Sequence, residues 1–164
     1  MTAWNIKQFP DQLLRRVSKP VDVIDSSIQL VARKLIQTMR QQPGGIGIAA
    51  PQVGILKRIA IVDISRKVKG ASCHVMINPV IVKRAQKRTF REGCMSLPDY
   101  TANAYRWNEV VVEWCNLKGG LERYAAVGIE AICMQHEVDH LDGVLFIDRV
   151  GSLKSDVFRR LRYL

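Results

Sequence analysis

The chain is organised around the pentapeptide His136-Glu137-Val138-Asp139-His140. Residues four apart on an α-helix lie one turn above each other, so a helix here would point both imidazoles toward a common point. Two histidines so placed can bind one metal ion, and Glu137 beside the first could take a proton from a water on that metal. The chain contains only 3 histidines, and two of them occur in this pentapeptide. The pattern therefore predicts a catalytic metal site.

The residues that precede the pentapeptide support the helical interpretation. One inward stripe is formed by Ile129, Ile132, Cys133, His136 and His140. Polar side chains on an otherwise apolar helical face cost free energy unless they are used, which favours metal ligation over accidental placement. Cys133 lies one turn before His136, so we interpret it as a wall of the same cavity and keep it as an alternative ligand.

Length and composition predict one domain that spans residues 1–164. With 164 residues and 48% hydrophobic side chains, the chain can bury one core and is too short for two ordinary domains. No run approaches the roughly 20 apolar residues of a membrane helix, and the N-terminus lacks a basic region followed by an apolar run. The 4 cysteines show no paired spacing, so we expect reduced thiols in a cytoplasmic protein.

The net charge of +10 favours approach to anionic surfaces, of which ribosomal RNA is one candidate. Arg159, Arg160 and Arg162 lie in the segment Ser152 to Leu164, whose pattern predicts an amphipathic C-terminal helix capped by Ser152. The sequence is compatible with ribosome binding through this basic helix, and equally with a basic surface that is only solvated.

Strand patterns precede the metal-binding helix. A long N-terminal helix is predicted from Ser26 or Ser27 to the stop at Pro43-Gly44-Gly45. Runs of β-branched residues predict strands at Arg58 to Ile64, Cys73 to Val82 and Lys87 to Glu92, and a hairpin from Glu109 to Cys115 and Leu121 to Val127. Strands followed by one metal-binding helix indicate an α+β fold rather than alternating βαβ units.

A catalytic metal site needs about three protein ligands and an open position for water. Thermolysin-like peptidases use a downstream glutamate, but no glutamate follows Glu137 in this chain. The metzincin pattern fails as well, because Phe146 occupies its last ligand position. The third ligand must therefore lie upstream. Cys94 is the best candidate, because it lies in a predicted loop flanked by Gly93 and beside Glu92.

With Cys94 added to His136 and His140, the chain resembles the peptide deformylase family. Three separated stretches carry the resemblance in the family's order and spacing: Gly45-Ile46-Gly47-Ile48-Ala49-Ala50-Pro51-Gln52, Glu92-Gly93-Cys94-Met95-Ser96 and His136-Glu137-Val138-Asp139-His140-Leu141-Asp142-Gly143. The resemblance implies an α+β fold in which a central metal-binding helix is surrounded by antiparallel β-sheets. It also implies an enzyme that removes the formyl group from the N-terminal formylmethionine of new proteins and releases formate.

The residues supply each part of formamide hydrolysis. A metal held by the three ligands would lower the pKa of its water toward neutrality, and Glu137 would move the water's proton to the departing amine. By resemblance, Gln52 donates its side-chain amide to the developing oxyanion, together with the backbone N–H of Met95. One thiolate and two imidazoles suit Fe²⁺, Zn²⁺, Ni²⁺ or Co²⁺, and the resemblance implies Fe²⁺ as the working ion.

The substrate position also follows from these motifs. Gly45 and Gly47 permit close backbone approach, so a peptide could bind beside them as an added strand. The methionine side chain needs an apolar slot, which the family's pattern assigns to Ile46, Phe90, Ile129, Ile132 and Cys133. The stretch from Asp99 to Asn103 departs from the family's usual sequence, which leaves the preference beyond formylmethionine open.

Three interpretations remain from the sequence. The first is an iron-dependent deformylase that acts on formylmethionyl peptides, which we expect to be a monomer without a membrane partner. The second is an amidohydrolase of the same mechanism that acts on another small acylated amine. The third is a ribosome-binding protein whose catalysis is secondary.

Overall fold

The computed structural model describes residues 3–161. The described chain contains helices α1 (Ser26–Gln41), α2 (Ile129–Leu141) and α3 (Leu153–Asp156), and strands β1 (Gly47–Ala49), β2 (Ile59–Asp63), β3 (Cys73–Cys94), β4 (Leu97–Cys115), β5 (Leu121–Val127) and β6 (Val157–Arg159). Short 3-10 helices occur at Gln12–Arg15, Ala50–Val53 and Phe146–Arg149. From residue 3 to residue 161, no helix is both long and apolar enough to cross a membrane.

The sheet is antiparallel and follows the chain. Strands β1 to β5 are neighbours in sequence order, and β6 pairs with β4 outside that path. The predicted hairpin between β4 and β5 is confirmed, with Glu109 opposite Val127 and Cys115 opposite Leu121. Helices and an antiparallel sheet in one chain confirm the predicted α+β class.

Strand β2 lies between two layers of helix and is buried along its whole length. Ile59 and Ile61 pack in a cluster with Leu35 of α1, whereas Ala60 and Val62 pack in a cluster with residues of α2. Successive side chains of a strand point to opposite faces, so the continuous apolar run seals the sheet against both helices. This arrangement fixes α2 against one face of the sheet.

The N-cap of helix α1 is Asp25 and not one of the predicted serines, Ser26 or Ser27. The carboxylate of Asp25 accepts hydrogen bonds from the backbone N–H groups of Ser27 and Ile28, so Asp25 is the N-cap. The helix runs to Gln41, as the Pro43-Gly44-Gly45 stop predicts. Its buried residues recur three or four positions apart and are Ile28, Ala32, Leu35, Thr38 and Met39.

The strands predicted at Cys73 to Val82 and Lys87 to Glu92 are one continuous strand, β3. The polar stretch between them has no strand pattern of its own, but β4 pairs along it from Lys83 opposite Val111 onward. The predicted loop around Cys94 is a turn of only two residues, because Cys94 already pairs with Leu97 of β4. Hydrogen bonding to β4 therefore determines that this region is a strand, and a local sequence pattern does not show that pairing.

The predicted C-terminal helix from Ser152 to Leu164 is wrong for the residues that the structure describes. The Ser152 hydroxyl does cap a helix by accepting from the backbone N–H of Lys154, but α3 ends at Asp156. The chain then forms β6, which pairs with Tyr100–Ala102 of β4. Backbone groups at the edge of β4 supply hydrogen bonds that override the local helical pattern. Residues 162–164, including Arg162, lie outside the described part.

Candidate active site and metal centre

Helix α2 carries the predicted site into the interior. It starts after Gly128, which has a φ of 63° that favours glycine, and 11 of its 13 residues are buried. The buried set includes His136, Glu137, Asp139 and His140. Buried polar groups cost free energy unless they have partners, so the partners of these four side chains define what the site can do.

Three potential ligand atoms converge at the end of β3. The side chains of Cys94, His136 and His140 are buried, and their ligand atoms all lie within 4.8 Å of one another. The Cys94 sulfur is 3.2 Å from Nε2 of His140. Cys94 is the last residue of β3, so the short turn into β4 holds the thiol over α2. The structure thus brings together the three residues that the sequence predicts as ligands.

The arrangement fits a small divalent cation. Ligand atoms of a tetrahedral thiolate and imidazole site lie about 3.3 to 3.7 Å apart, and the distance from the Cys94 sulfur to Nε2 of His140, 3.2 Å, is close to this range. Burial lowers the pKa of His140 well below its usual value, which keeps this imidazole in the neutral form that binds metals. Nδ1 of His136 lies 2.8 Å from Glu92, so its Nε2 is the nitrogen left to bind a metal.

A buried ionic network orients His136. The guanidinium of Arg106 donates to both carboxylate oxygens of Glu92 and also to Asp139, and Arg149 donates to Asp139 from the outside. Burial alone would raise the pKa of Glu92, but hydrogen bonds from His136 and Arg106 lower it to about 2. Glu92 is therefore a carboxylate at all ordinary pH values, and it fixes the orientation of the imidazole ring.

Glu137 is poised for proton transfer. Among the described residues, its Oε2 atom has no hydrogen-bond partner although the atom is buried. Burial raises the pKa of Glu137 to about 7, despite the opposing charges of His136 and Arg106. A carboxyl group with a pKa near 7 can both accept and release a proton at neutral pH. An unpartnered buried carboxylate oxygen beside three ligands is what a catalytic water would require.

A cavity of about 740 Å³ opens onto this site. It is lined by almost all the residues that the sequence assigned to catalysis and substrate binding: Gly45, Ile46, Gly47, Gln52, Phe90, Cys94, Met95, Ile129, Ile132, Cys133, His136 and Glu137. A Cβ atom built on Gly47 would overlap the Glu137 carboxylate and would lie 2.6 Å from the Cys133 sulfur. The close approach at Gly47 therefore keeps the cavity open beside Glu137.

Comparison with known proteins identifies the family. The sequence model of the polypeptide deformylase family matches residues 3–156. A peptide deformylase of Rhizobium meliloti is 41% identical over 153 residues, which are 93% of this chain and 87% of the relative. One from Thermodesulfovibrio yellowstonii is 38% identical over 160 residues, which are 98% of this chain and 96% of the relative.

The chain belongs to the peptide deformylase family. The crystal structure of a peptide deformylase from Synechococcus elongatus in complex with actinonin superimposes with a TM-score of 0.87 and 38% identity, covering 92% of this chain and 82% of the other. The chain is therefore an enzyme of the deformylase type, which removes the N-formyl group from nascent peptides, and the family depends on a metal ion.

Hydrogen bonds hold Gln52 in a fixed orientation next to the three potential ligand residues. Its side-chain oxygen accepts from the backbone N–H of Ala49 at 2.9 Å. Its amide nitrogen lies 3.1 Å from the hydroxyl of Ser96 and 3.6 Å from the Cys94 sulfur. The buried amide therefore points toward the metal centre, and Ser96 contributes to its orientation. Ser96 belongs to the motif Glu92-Gly93-Cys94-Met95-Ser96, but its contact with Gln52 does not follow from the sequence.

Cys133 is a wall residue in this geometry. Burial raises the pKa of its thiol well above the usual value, and its sulfur lies 3.5 Å from the carbonyl oxygen of Ile46. The cluster of ligand atoms comprises Cys94, His136 and His140 and does not include Cys133. A thiol that is hard to ionise is a poor metal ligand, so the geometry favours Cys94.

Three cationic residues of the cavity were not predicted from the sequence as part of the site. Lys67, Arg91 and Arg160 line the cavity together with the predicted residues. Arg160 was expected on an outer helix, and it reaches the cavity because β6 pairs with β4. No local pattern links these three positions, and Arg91 and Arg160 come together through the pairing of β4 with β3 and β6.

Proposed function

We propose that Cys94, His136 and His140 hold one divalent metal ion, at which this chain hydrolyses the formamide of N-terminal formylmethionine and releases formate. The observation that carries the proposal is the convergence of these three buried ligand atoms within 4.8 Å of one another. A bound divalent ion would lower the pKa of a coordinated water and polarise the formyl carbonyl.

Glu137 is the proposed acid and base. Its unpartnered Oε2 takes a proton from the attacking water as the water oxygen bonds to the formyl carbon. The carbon–nitrogen bond then breaks, and the same carboxyl group gives its proton to the departing amine. A pKa of about 7 suits both transfers, because neither protonation state of Glu137 is strongly disfavoured near neutrality.

Gln52 and Met95 are the proposed oxyanion donors. The amide nitrogen of Gln52 is within 3.6 Å of the Cys94 sulfur, so it can reach the carbonyl oxygen of a substrate held at the metal. The backbone N–H of Met95, in the turn after Cys94, is the proposed second donor. Removal of one such donor typically lowers the rate by about a hundredfold to a thousandfold.

The methionine side chain is proposed to enter the apolar part of the cavity. Ile129, Ile132 and Cys133 of α2 form one wall, and Ile46 and Phe90 belong to the same lining. The peptide backbone would lie along Gly45 and Gly47 as an added strand, because this segment joins the sheet at its β1 edge.

Fe²⁺ is the proposed working ion. The donor set of one thiolate and two imidazoles also suits Zn²⁺, Ni²⁺ and Co²⁺, so the ligands alone do not choose among them. Loading the purified chain anaerobically with each metal and measuring formate release decides the question. Higher activity with Zn²⁺ than with Fe²⁺ would contradict the choice of iron.

The whole of residues 1–164 is proposed as one catalytic domain that acts as a cytoplasmic monomer. The net charge of +10 supports contact with the ribosome, through exposed basic residues that include Arg159. Co-sedimentation with ribosomes tests this contact. Binding to phosphates weakens steeply as salt is added, so binding that ignores salt would contradict an electrostatic contact.

The deciding experiment measures formate release from formyl-Met-Ala-Ser. The metal-loaded wild type is compared with Glu137→Gln, which keeps the size of the side chain and removes its ability to accept a proton. We expect the variant to bind the metal and to lose about a hundredfold to ten thousandfold in rate. Equal rates in the two proteins would contradict the proposal.

A further inference from the structure

The opening of the active-site cavity carries three cations that the hydrolysis itself does not use. Lys67, Arg91 and Arg160 line the cavity, and Lys67 and Arg91 are exposed. Among the described lining residues, the acidic ones are Glu92 and Glu137, both buried inside. Glu92 is already neutralised by Arg106 and His136. The lining therefore places these three cationic side chains together with two acids that are buried deeper in the site.

Arg160 is held in place by the strand that replaced the predicted helix. Strand β6 pairs with β4, with Thr101 opposite Phe158, and the backbone N–H of Arg160 donates to the carbonyl of Asp99 at 2.7 Å. This pairing brings the guanidinium against Gly93, where an added Cβ would overlap it. Gly93, Cys94 and Arg160 line the same cavity, so the Arg160 side chain belongs to the cavity that contains the proposed metal site.

Arg91 belongs to β3, and its side chain contacts residues of both β4 and β6. Its guanidinium carbon lies 3.7 Å from the centre of the Phe158 ring, and its Nη1 is 3.5 Å from the Thr101 hydroxyl. Such stacking lowers the rotamer entropy that a charged side chain loses on binding a ligand. Lys67 approaches from the segment between β2 and β3. Cations from three segments thus surround one opening.

We propose that Arg160, together with Lys67 and Arg91, gives this enzyme a preference for formylmethionyl peptides whose second and third residues carry carboxylates. The inference rests on the proposed function, because it needs the formylmethionine at the metal. An extended peptide advances about 3.3 Å per residue, so the side chains that follow methionine pass the rim. A guanidinium binds a carboxylate with two parallel hydrogen bonds, and a low-dielectric cavity wall strengthens the attraction.

The test compares two isosteric substrates, formyl-Met-Glu-Glu-amide and formyl-Met-Gln-Gln-amide. The terminal amide removes the carboxylate that would otherwise be present in both peptides. At low salt we expect kcat/KM to favour the glutamate peptide by about threefold to tenfold, which exposed ion pairs can supply. Salt shortens the distance over which exposed charges interact, so the preference should shrink as the salt concentration is raised to roughly 0.5 M.

The variants assign the preference to the rim. Arg160→Gln should lower the ratio of the two kcat/KM values by about twofold to fivefold, while Arg160→Lys retains most of it. Arg33→Gln removes the same charge from the exposed side of α1 and should leave the ratio unchanged. The ratio is independent of the fraction of folded enzyme, so partial unfolding of a variant does not imitate the effect.

Each outcome has a separate meaning. If the wild type hydrolyses neither peptide nor formyl-Met-Ala-Ser, the proposed function fails. If it hydrolyses both amides with equal kcat/KM, or if Arg160→Gln and Arg33→Gln change the ratio equally, the rim preference is overturned and the deformylase activity stands. A ratio that falls only in Arg160→Gln supports the inference.

Discussion

Helices α1 and α2 lie on the two faces of the same sheet and differ in what they bury. Helix α1 buries 5 of its 16 residues, and all of these but Thr38 are apolar. Helix α2 buries 11 of its 13 residues, and they include two imidazoles and three carboxyl groups. Burial of charge is costly, so α2 depends on partners from other strands, which are Glu92 of β3 for His136 and Arg106 of β4 for Asp139.

The difference separates stability from chemistry. A change in α1 should alter the free energy of unfolding and leave the reaction of the folded molecules unaltered. A change among the polar residues of α2, or among their partners, should alter metal binding and turnover as well. Substitutions in α1, in α2 and in the partners of α2 test this contrast separately.

The largest effect is expected from His140→Ala. Loss of one imidazole leaves two ligands, so the variant should lose its bound metal, and formate release should fall to background. His74→Ala is the matched control, because His74 bonds to Glu130 rather than to the metal centre. Metal content and formate release are measured on both. Full metal content in His140→Ala would contradict the proposed role of His140 as a ligand.

Arg106→Met should be the most destabilising change in the buried network. It leaves Glu92 and Asp139 with one partner fewer in the interior, and breaking such a buried pair typically costs about 3 to 5 kcal/mol. The exposed pair of Arg123 with Glu113 provides the control, because Arg123→Met should cost less than about 1 kcal/mol. Urea unfolding of the two variants gives the comparison directly.

The same network predicts that the folded state loses stability at acidic pH. The pKa of Glu92 is lowered from 4.5 to about 2, so its ionised form stabilises the fold fully above pH 4.5. That contribution is lost as the pH falls toward 2. The acid-unfolding midpoint of Arg106→Met should therefore lie at higher pH than that of the wild type, and an unchanged midpoint would contradict the pairing.

Leu35→Ala tests the scaffold side of the comparison. Leu35 is fully buried in α1 against Ile59 and Ile61, and truncation of such a leucine costs about 2 to 5 kcal/mol. Activity per folded molecule should be unchanged at a temperature where the variant remains folded. A specific loss of kcat without loss of folded protein would show that α1 also contributes to catalysis.

The smallest effect is expected from Asp25→Ala. The Asp25 carboxylate caps α1, and loss of such a cap costs about 1 kcal/mol. Asp25→Ser should recover most of this loss, because a hydroxyl can accept the same backbone hydrogen bonds. Thermal unfolding of the three proteins measures the difference, and equal midpoints for Asp25→Ala and the wild type would exclude a role for the cap.

Local sequence patterns were sufficient for α1, for α2 and for the placement of His136 and His140. The stop at Pro43-Gly44-Gly45 defined the end of α1, and the four-residue spacing of His136 and His140 placed both rings on one face. Cys94 was found by elimination and by resemblance, because no spacing rule connects it with α2. The site was therefore predictable where its geometry is helical.

The parts that sequence patterns missed depend on pairing between distant segments. The polar middle of β3 is a strand because β4 pairs with it, and β6 replaced a predicted helix for the same reason. Arg160 reached the cavity through that pairing. The free energy of these hydrogen bonds depends on the partner strand, so a local pattern does not contain it.

The most direct test of the central claim measures bound metal per chain and formate release in Cys94→Ala and Cys133→Ala. Both substitutions remove a buried thiol from the same cavity, but only Cys94 belongs to the ligand cluster. We predict that Cys94→Ala loses both metal and activity, and that Cys133→Ala retains close to the metal content of the wild type. Loss of metal from Cys133→Ala with retention in Cys94→Ala would contradict the account.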